Sequence, residues 1–469
     1  MAKQRSPAKL SLFSLIMINV AAILSLRALP GLAEYGYALI TYLALASLCF
    51  FIPSALVSAE LASGWKRKGG VYLWVKEAFG PKWGFVAIFM QWVENLPWFP
   101  SVLAFASSAL AYVINPSLAD NKIFTVIMIW AALWLATLLN FRDMKLSAFF
   151  SSSGVIAGTI LPGILIIVLG LIHYTSGEPL QIEFSMQAML PEFESPKQLM
   201  LLAAMLVSFL GMEMSAVHVN EVKNPKKNFP RAIFLACLLI IFISSLGSLA
   251  IAIVIPARNV SLSAGVCQAF ENLFTAHNMS FMTPIICFLM VYGALAMVIT
   301  WMAGPSKGLR EVAREGYLPK SWQKINAAGM PVNILLIQTT LSAILSLVIL
   351  AMPTVSSAFM LMSALAAQLY LVMYLLMFAA AIKLRYSHPE VERGYKIPGG
   401  NPGMWLVSGL AILSCIFVII FGFIPPEAVS EEGALSSLLY VAFLFAGMLF
   451  FLWIPLKFYH HSRKHGTKG

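Results

Sequence analysis

Charge is what this chain has least of: 11% of its 469 residues are Asp, Glu, Lys or Arg, against 60% hydrophobic, and the mean hydropathy is +0.83. A water-soluble domain carries about 25% charged residues, so a soluble enzyme of this size is excluded. Acidic residues are the scarcer sign, 20 against 31 Lys plus Arg, which leaves a net charge of +11. Such an excess can mark nucleic-acid binding, but the positions of the basic residues point to loops at an anionic membrane surface, and no nucleic-acid partner is expected. Cysteine is sparse too. Cys49, Cys237, Cys267, Cys287 and Cys415 are scattered without a CxxC spacing, so they are read as packing residues, with no metal or cofactor expected. No P-loop, HExxH or GxSxG element is present, and no covalent chemistry is expected.

Long apolar runs are what the chain has in abundance. A bilayer core about 30 Å thick needs roughly 20 apolar residues per helix, and twelve runs qualify: Leu10 to Ala33, Tyr37 to Leu61, Trp83 to Ile114, Ile123 to Phe141, Leu146 to Tyr174, Gln198 to Val219, Ala232 to Pro256, Met279 to Pro305, Val332 to Met352, Val355 to Ile382, Gly403 to Phe423 and Ala434 to Leu456. The first follows a basic leader but lacks a cleavage site and is kept as a span. The expected class is an all-α integral membrane protein of twelve transmembrane helices, with 1–469 as a single membrane domain and ordinary loops outside. Of the 31 basic residues, 27 fall in one alternate set of loops that includes both termini, three in the opposite set, and Arg27 in the first span. By the positive-inside rule both termini face the cytoplasm.

Charge inside the membrane is the informative signal, because an ionised side chain at mid-bilayer costs about 2.5–3.5 kcal/mol even on the lenient insertion scale. Three such residues are read from the runs: Arg27, Glu94 and Glu213. Two roles stay open for them, as groups facing a functional cavity and as a cluster that neutralises itself. Arg27 sits in Ser25-Leu26-Arg27-Ala28-Leu29-Pro30-Gly31, where the proline removes a backbone donor and predicts a helix break. Gly211, Met212, Glu213, Met214 and Ser215 place a glycine and an acid in the middle of the sixth run, a weaker break signal. Two interrupted helices at corresponding places of two five-span halves are what an inverted-repeat transporter requires near its midplane. The main-chain groups freed there are tolerable only where they line a cavity or meet a ligand, and a zwitterionic amino acid offers partners for both kinds.

The residues that follow carry a family resemblance. Gly69-Gly70-Val71-Tyr72-Leu73-Trp74-Val75, Gly80-Pro81-Lys82-Trp83-Gly84-Phe85, Gly211 through Glu221, Val254-Ile255-Pro256, Leu262-Ser263-Ala264-Gly265-Val266, Gly304-Pro305-Ser306-Lys307-Gly308 and Ile397-Pro398-Gly399-Gly400 come in an order and spacing that resembles the amino acid-polyamine-organocation superfamily. Within it, the chain looks like the bacterial glutamate/γ-aminobutyrate antiporter branch over about residues 10–455. The resemblance implies a five-plus-five inverted repeat (10–174 and 198–382) with two additional helices (403–456), broken helices 1 and 6, and amino acid antiport by alternating access in the bacterial inner membrane. Proton-coupled symport and non-transporting amino acid sensing are the alternatives. The implied partners are small amino acids and lipid, with a homodimer open.

Carried over by position, Ser25, Leu26, Arg27, Gly31, Gly211, Met212, Glu213, Met214 and Ser215 form the substrate cradle. Tyr370 and Tyr374, one helical turn apart, add a wall that is apolar yet carries hydroxyls. Glu94, Trp301 and His218 are assigned to gating or proton sensing, with helix-end packing the alternative for His218 and a satisfied buried carboxyl the alternative for Glu94. The chain departs from the superfamily pattern in lacking a GSG-type first-helix signature, with Leu26-Arg27-Ala28 in its place. It also has a short tail after Leu456, so the C-terminal plug of acid-resistance members is not expected.

Overall fold

In a computed structural model, residues 11–65, 69–142, 144–183, 185–190, 196–216, 224–430 and 433–465 are described. Among them the chain is helical, with one isolated antiparallel bridge between Ile325 and Pro331 and no strand. This is the outcome hydrocarbon dictates, since a helix satisfies its backbone hydrogen bonds internally where no water can.

Among the described residues, ten helices are long and apolar enough to cross a membrane: Gly36–Gly64, Pro81–Ile114, Lys122–Arg142, Ser152–Thr175, Arg231–Ala252, Met282–Arg314, Val332–Ala351, Val355–Ser387, Gly400–Phe421 and Ala434–Lys464. They fall in ten of the twelve apolar runs. The other two runs contain shorter helices, Leu12–Ile23 in the first and Pro196–Val207 in the sixth, each of 12 residues. Two connecting segments also differ from expectation. The connection after Pro256 folds into a helix, Gly265–Ala276, whose apolar face is buried, and residues 69–80 contain the helix Val71–Phe79.

Burial ranks the helices from centre to edge. An apolar 18-residue stretch of Val355–Ser387 is 78% buried and one of Pro81–Ile114 is 72%, whereas one of Ala434–Lys464 is 11%. The last helix therefore lies against the outside of the array, and the central helices bring their side chains together in its middle. Close crossing is achieved with small residues. A Cβ on Gly158 would lie 2.3 Å from the Leu289 carbonyl oxygen, and one on Gly154 would lie 2.2 Å from the Ala296 Cβ, so these glycines let Met144–Val155 and the following π-turn, Ile156–Ile160, pack directly on Met282–Arg314. The five cysteines carry no disulfide, and four of them are buried.

One end of the array holds ionic clasps. Glu60, near the end of Ile52–Gly64, receives Arg385 Nε at 2.5 Å and Nη2 at 2.6 Å, with Arg393 Nε at 3.2 Å and the Ile397 amide at 2.8 Å. All three side chains are buried. Nearby, Glu315 accepts from Tyr72 Oη at 2.5 Å and pairs with Lys76 at 2.7 Å, tying Val71–Phe79 to the end of Met282–Arg314. Burial, and then the hydrogen bond to Glu315, push the Tyr72 hydroxyl well above its ordinary pKa, so it stays a donor across physiological pH.

Candidate functional site

The break in the first run begins where Leu24 makes the last helical bond, to the Val20 carbonyl at 2.8 Å. Ser25 is extended, at φ −130° and ψ 119°; a single 3-10 turn, Leu26–Ala28, follows, and helix resumes over Leu29–Ala33 with Pro30 in its first turn. The sixth run breaks after Pro196–Val207. Residues 208–212 form turns, Gly211 takes φ +120°, and a short helix, Glu213–Ala216, follows. That dihedral is open to glycine and strained for any residue with a Cβ. The two interruptions touch: a Cβ on Gly211 would sit 3.0 Å from the Ala22 carbonyl oxygen and 3.3 Å from the Trp301 ring.

The third run, by contrast, stays one helix, Pro81–Ile114. Glu94 keeps helical dihedrals, φ −58° and ψ −30°, its amide bonds to the Met90 carbonyl at 3.1 Å and its carbonyl accepts the Trp98 amide at 3.2 Å. Pro97 and Pro100 just beyond it lack the amide protons that would bond back to Val93 and Leu96, so two ladder bonds are missing while the helix continues.

Glu213 is the hub of the site. Tyr370 Oη donates to one carboxylate oxygen and Tyr374 Oη to the other, while Gln91 Nε2 donates at 2.9 Å to the same oxygen as Tyr370. Tyr374 Oη in turn accepts the Gly211 amide at 2.8 Å. The helix Val355–Ser387 thus uses the i, i+4 spacing of its tyrosines to hold both the acid and the main chain of the break. Sequence pattern alone does not single out Gln91; its position one turn before Glu94 is the available signal.

Aromatic rings run from this hub to Arg27. Ring centroids are 5.1 Å apart for Tyr374 and Tyr370, 6.2 Å for Tyr370 and Trp301, and 5.3 Å for Trp301 and Trp98. The Arg27 guanidinium lies 5.7 Å over Trp98 and 5.7 Å over Phe359, and its Nη1 donates to Ser101 at 3.2 Å and Ser363 at 3.3 Å. The neutralising cluster considered for the three intramembrane charges forms no direct ion pair, although Arg27 and Glu94 lie within electrostatic reach of each other. Among the described residues, Arg27 has no ion pair within 4 Å, and Glu213 is bonded by neutral donors. Glu94 is 2% exposed, and neither Arg27 nor Asn95 bonds to it: Asn95 instead donates to the Gln91 carbonyl at 2.9 Å.

Of the other residues singled out, Leu26 and Met212 are buried in the core, Met214 is half-buried and receives Gln91 Nε2 at 3.5 Å, and Gly31 packs near Leu262. Ser25 lines a small cavity with Thr159 between the first break and the π-turn. Ser215 is described in its backbone alone, and His218 lies outside the described residues.

Broken helices, a buried acid under two tyrosines and an aromatic wall inside a multi-pass helical array define a membrane transport protein. The chain belongs to the amino acid permease family, whose model matches residues 10–451. It is 44% identical to an uncharacterized transporter of Legionella pneumophila over 97% of both chains. It is 30% identical to a glutamate/gamma-aminobutyrate antiporter of Lactococcus lactis over 98% of this chain and 92% of that one. A probable agmatine/putrescine antiporter of the same species is 23% identical over 89% of this chain. The protein is an amino acid transporter of the bacterial permease type.

Proposed function

We propose that the protein is an amino acid antiporter that works by alternating access in the bacterial inner membrane, with both termini cytoplasmic. Its twelve spans form an inverted repeat, 10–174 and 198–382, followed by two further helices within 403–456, and the short helices Leu12–Ile23 and Pro196–Val207 belong to the first and sixth spans. One observation carries the reading: the two interrupted helices meet at Ala22 and Gly211, beside Glu213, Tyr370, Tyr374 and Trp301. A meeting of broken helices in the middle of the array gives a small dipolar solute polar partners in hydrocarbon, and their short segments give the protein joints about which one bundle rocks against the rest. The likeness to glutamate/gamma-aminobutyrate antiporters supports exchange and makes glutamate and γ-aminobutyrate the first substrates to try.

Proteoliposomes decide it. Uptake of a labelled amino acid should require an unlabelled amino acid inside, and a panel of common amino acids and their decarboxylation products should reveal the pair. Uptake into empty vesicles driven by an imposed pH gradient would instead establish proton-coupled symport, and saturable binding without counterflow would establish a sensor.

A further inference from the structure

Two charged side chains of the central site are short of partners. Glu94 is 2% exposed, and one of its carboxylate oxygens has no hydrogen bond. Arg27 uses one nitrogen, Nη1, for both serine hydroxyls, and its buried Nε bonds to nothing. No ion pair within 4 Å joins the two, although each lies within electrostatic reach of the other, and buried hydrogen-bonding groups left without partners call for an explanation.

Their placement supplies the explanation. Gln91, Glu94, Trp98 and Ser101 follow one another at intervals of three, four and three residues, which puts them on one face of the helix Pro81–Ile114. Gln91 reaches Glu213 and Ser101 reaches Arg27, so Glu94 stands between the two poles of the site. At the Glu213 pole the polar groups are already engaged. Glu213 is filled by Tyr370, Tyr374 and Gln91, and the Gly211 amide is given to Tyr374. Arg27, by contrast, is held in place by two hydroxyls and two rings with part of its planar fork unused, an arrangement pre-organised for a carboxylate.

Building on the exchanger reading, we infer that Arg27 takes the carboxylate and Glu94 the ammonium of the substrate's zwitterionic head group, so that these two side chains, more than the main chain of the breaks, read its charged ends. The ligand class is a small molecule bearing both groups on the same or nearby carbons.

The test is competition against labelled glutamate in proteoliposomes, using glutamate, glutarate, which lacks the ammonium, and butylamine, which lacks any carboxylate. For a neutral substrate the corresponding trio is alanine, propionate and ethylamine. Arg27→Gln should weaken the amino acid and the acid by about 10- to 100-fold and leave the amine within twofold, with Arg27→Lys recovering part of the loss. Glu94→Gln should weaken the amino acid and the amine to the same degree and leave the acid within twofold. The insensitive probe in each variant shows that the protein is folded. Equal responses of all three probes, or an amino acid affinity within twofold of the parent in either variant, would overturn the assignment. In that case intact exchange by the parent protein leaves the antiporter reading standing, whereas a parent that exchanges no amino acid sinks that reading by itself.

Discussion

At the scale of single residues, the site depends on positions with no slack. Gly211 combines a φ of +120° with a main-chain carbonyl and an indole ring at the edge of contact, so a methyl group there meets both backbone strain and two neighbours. Strain of this kind costs roughly 1–3 kcal/mol. Gly211→Ala should therefore slow exchange by at least about tenfold through displacement of the break, while expression is retained; a normal exchange rate would show that the contact with Ala22 is dispensable. Glu213 is an acceptor on both oxygens. Glu213→Gln turns one of them into an amide that confronts a donating tyrosine, which leaves a buried donor unmet at about 1–3 kcal/mol. The expected result is lower thermal stability together with an altered pH profile of exchange, and Tyr370→Phe in the same background should recover part of the stability if the conflict is with that hydroxyl. The tyrosine spacing was readable in the sequence, and so was the presence of an acid in the sixth run. That they bond to one another was not, because the residues lie 157 and 161 positions apart.

Helices set the next scale. The breaks at Ser25 and Gly211 were legible, one from Pro30 and the other from a glycine beside an acid, since both residue types weaken a helix for local reasons. Pro97 and Pro100 remove two bonds from the third run, yet Pro81–Ile114 continues as one helix, as its unbroken hydropathy predicts. The segment after Pro256 reads as a loop, yet its helix Gly265–Ala276 forms because it has an apolar face to bury. Packing between helices was foreshadowed by Gly154 and Gly158. Gly158→Leu should force Ile156–Ile160 away from Leu289 and Gly293, lowering the yield of folded protein in detergent, whereas the same change at Gly409, which has open space, should be tolerated.

Over the whole molecule, the ionic clasp of Glu60 with Arg385 and Arg393 joins elements more than 300 residues apart in sequence. In the sequence Glu60 lies at the end of an apolar run and the two arginines fall in the basic set of loops, so hydropathy and loop charge do not pair them. An acid inside an apolar run with no basic residue one turn away was the signal. Removing one member of a buried pair leaves the other without compensation, at about 3–5 kcal/mol. Glu60→Gln should accordingly lower the midpoint of thermal unfolding in detergent markedly, while Lys76→Gln, at the half-exposed pair with Glu315, should change it little.

The sequence by itself determined that this protein lives in a membrane, that it is helical, where most helices start and stop, and that two of them break. Those properties follow from transfer free energies and backbone chemistry that act within a few residues. Tertiary structure alone decided which charges meet. Glu213 is capped by tyrosines, Glu60 is clasped by arginines, and Arg27 and Glu94 are left apart. Electrostatic pairing in hydrocarbon is settled by side-chain positions a few ångströms from one another, and helices brought together across hundreds of residues fix those positions in ways no local pattern records.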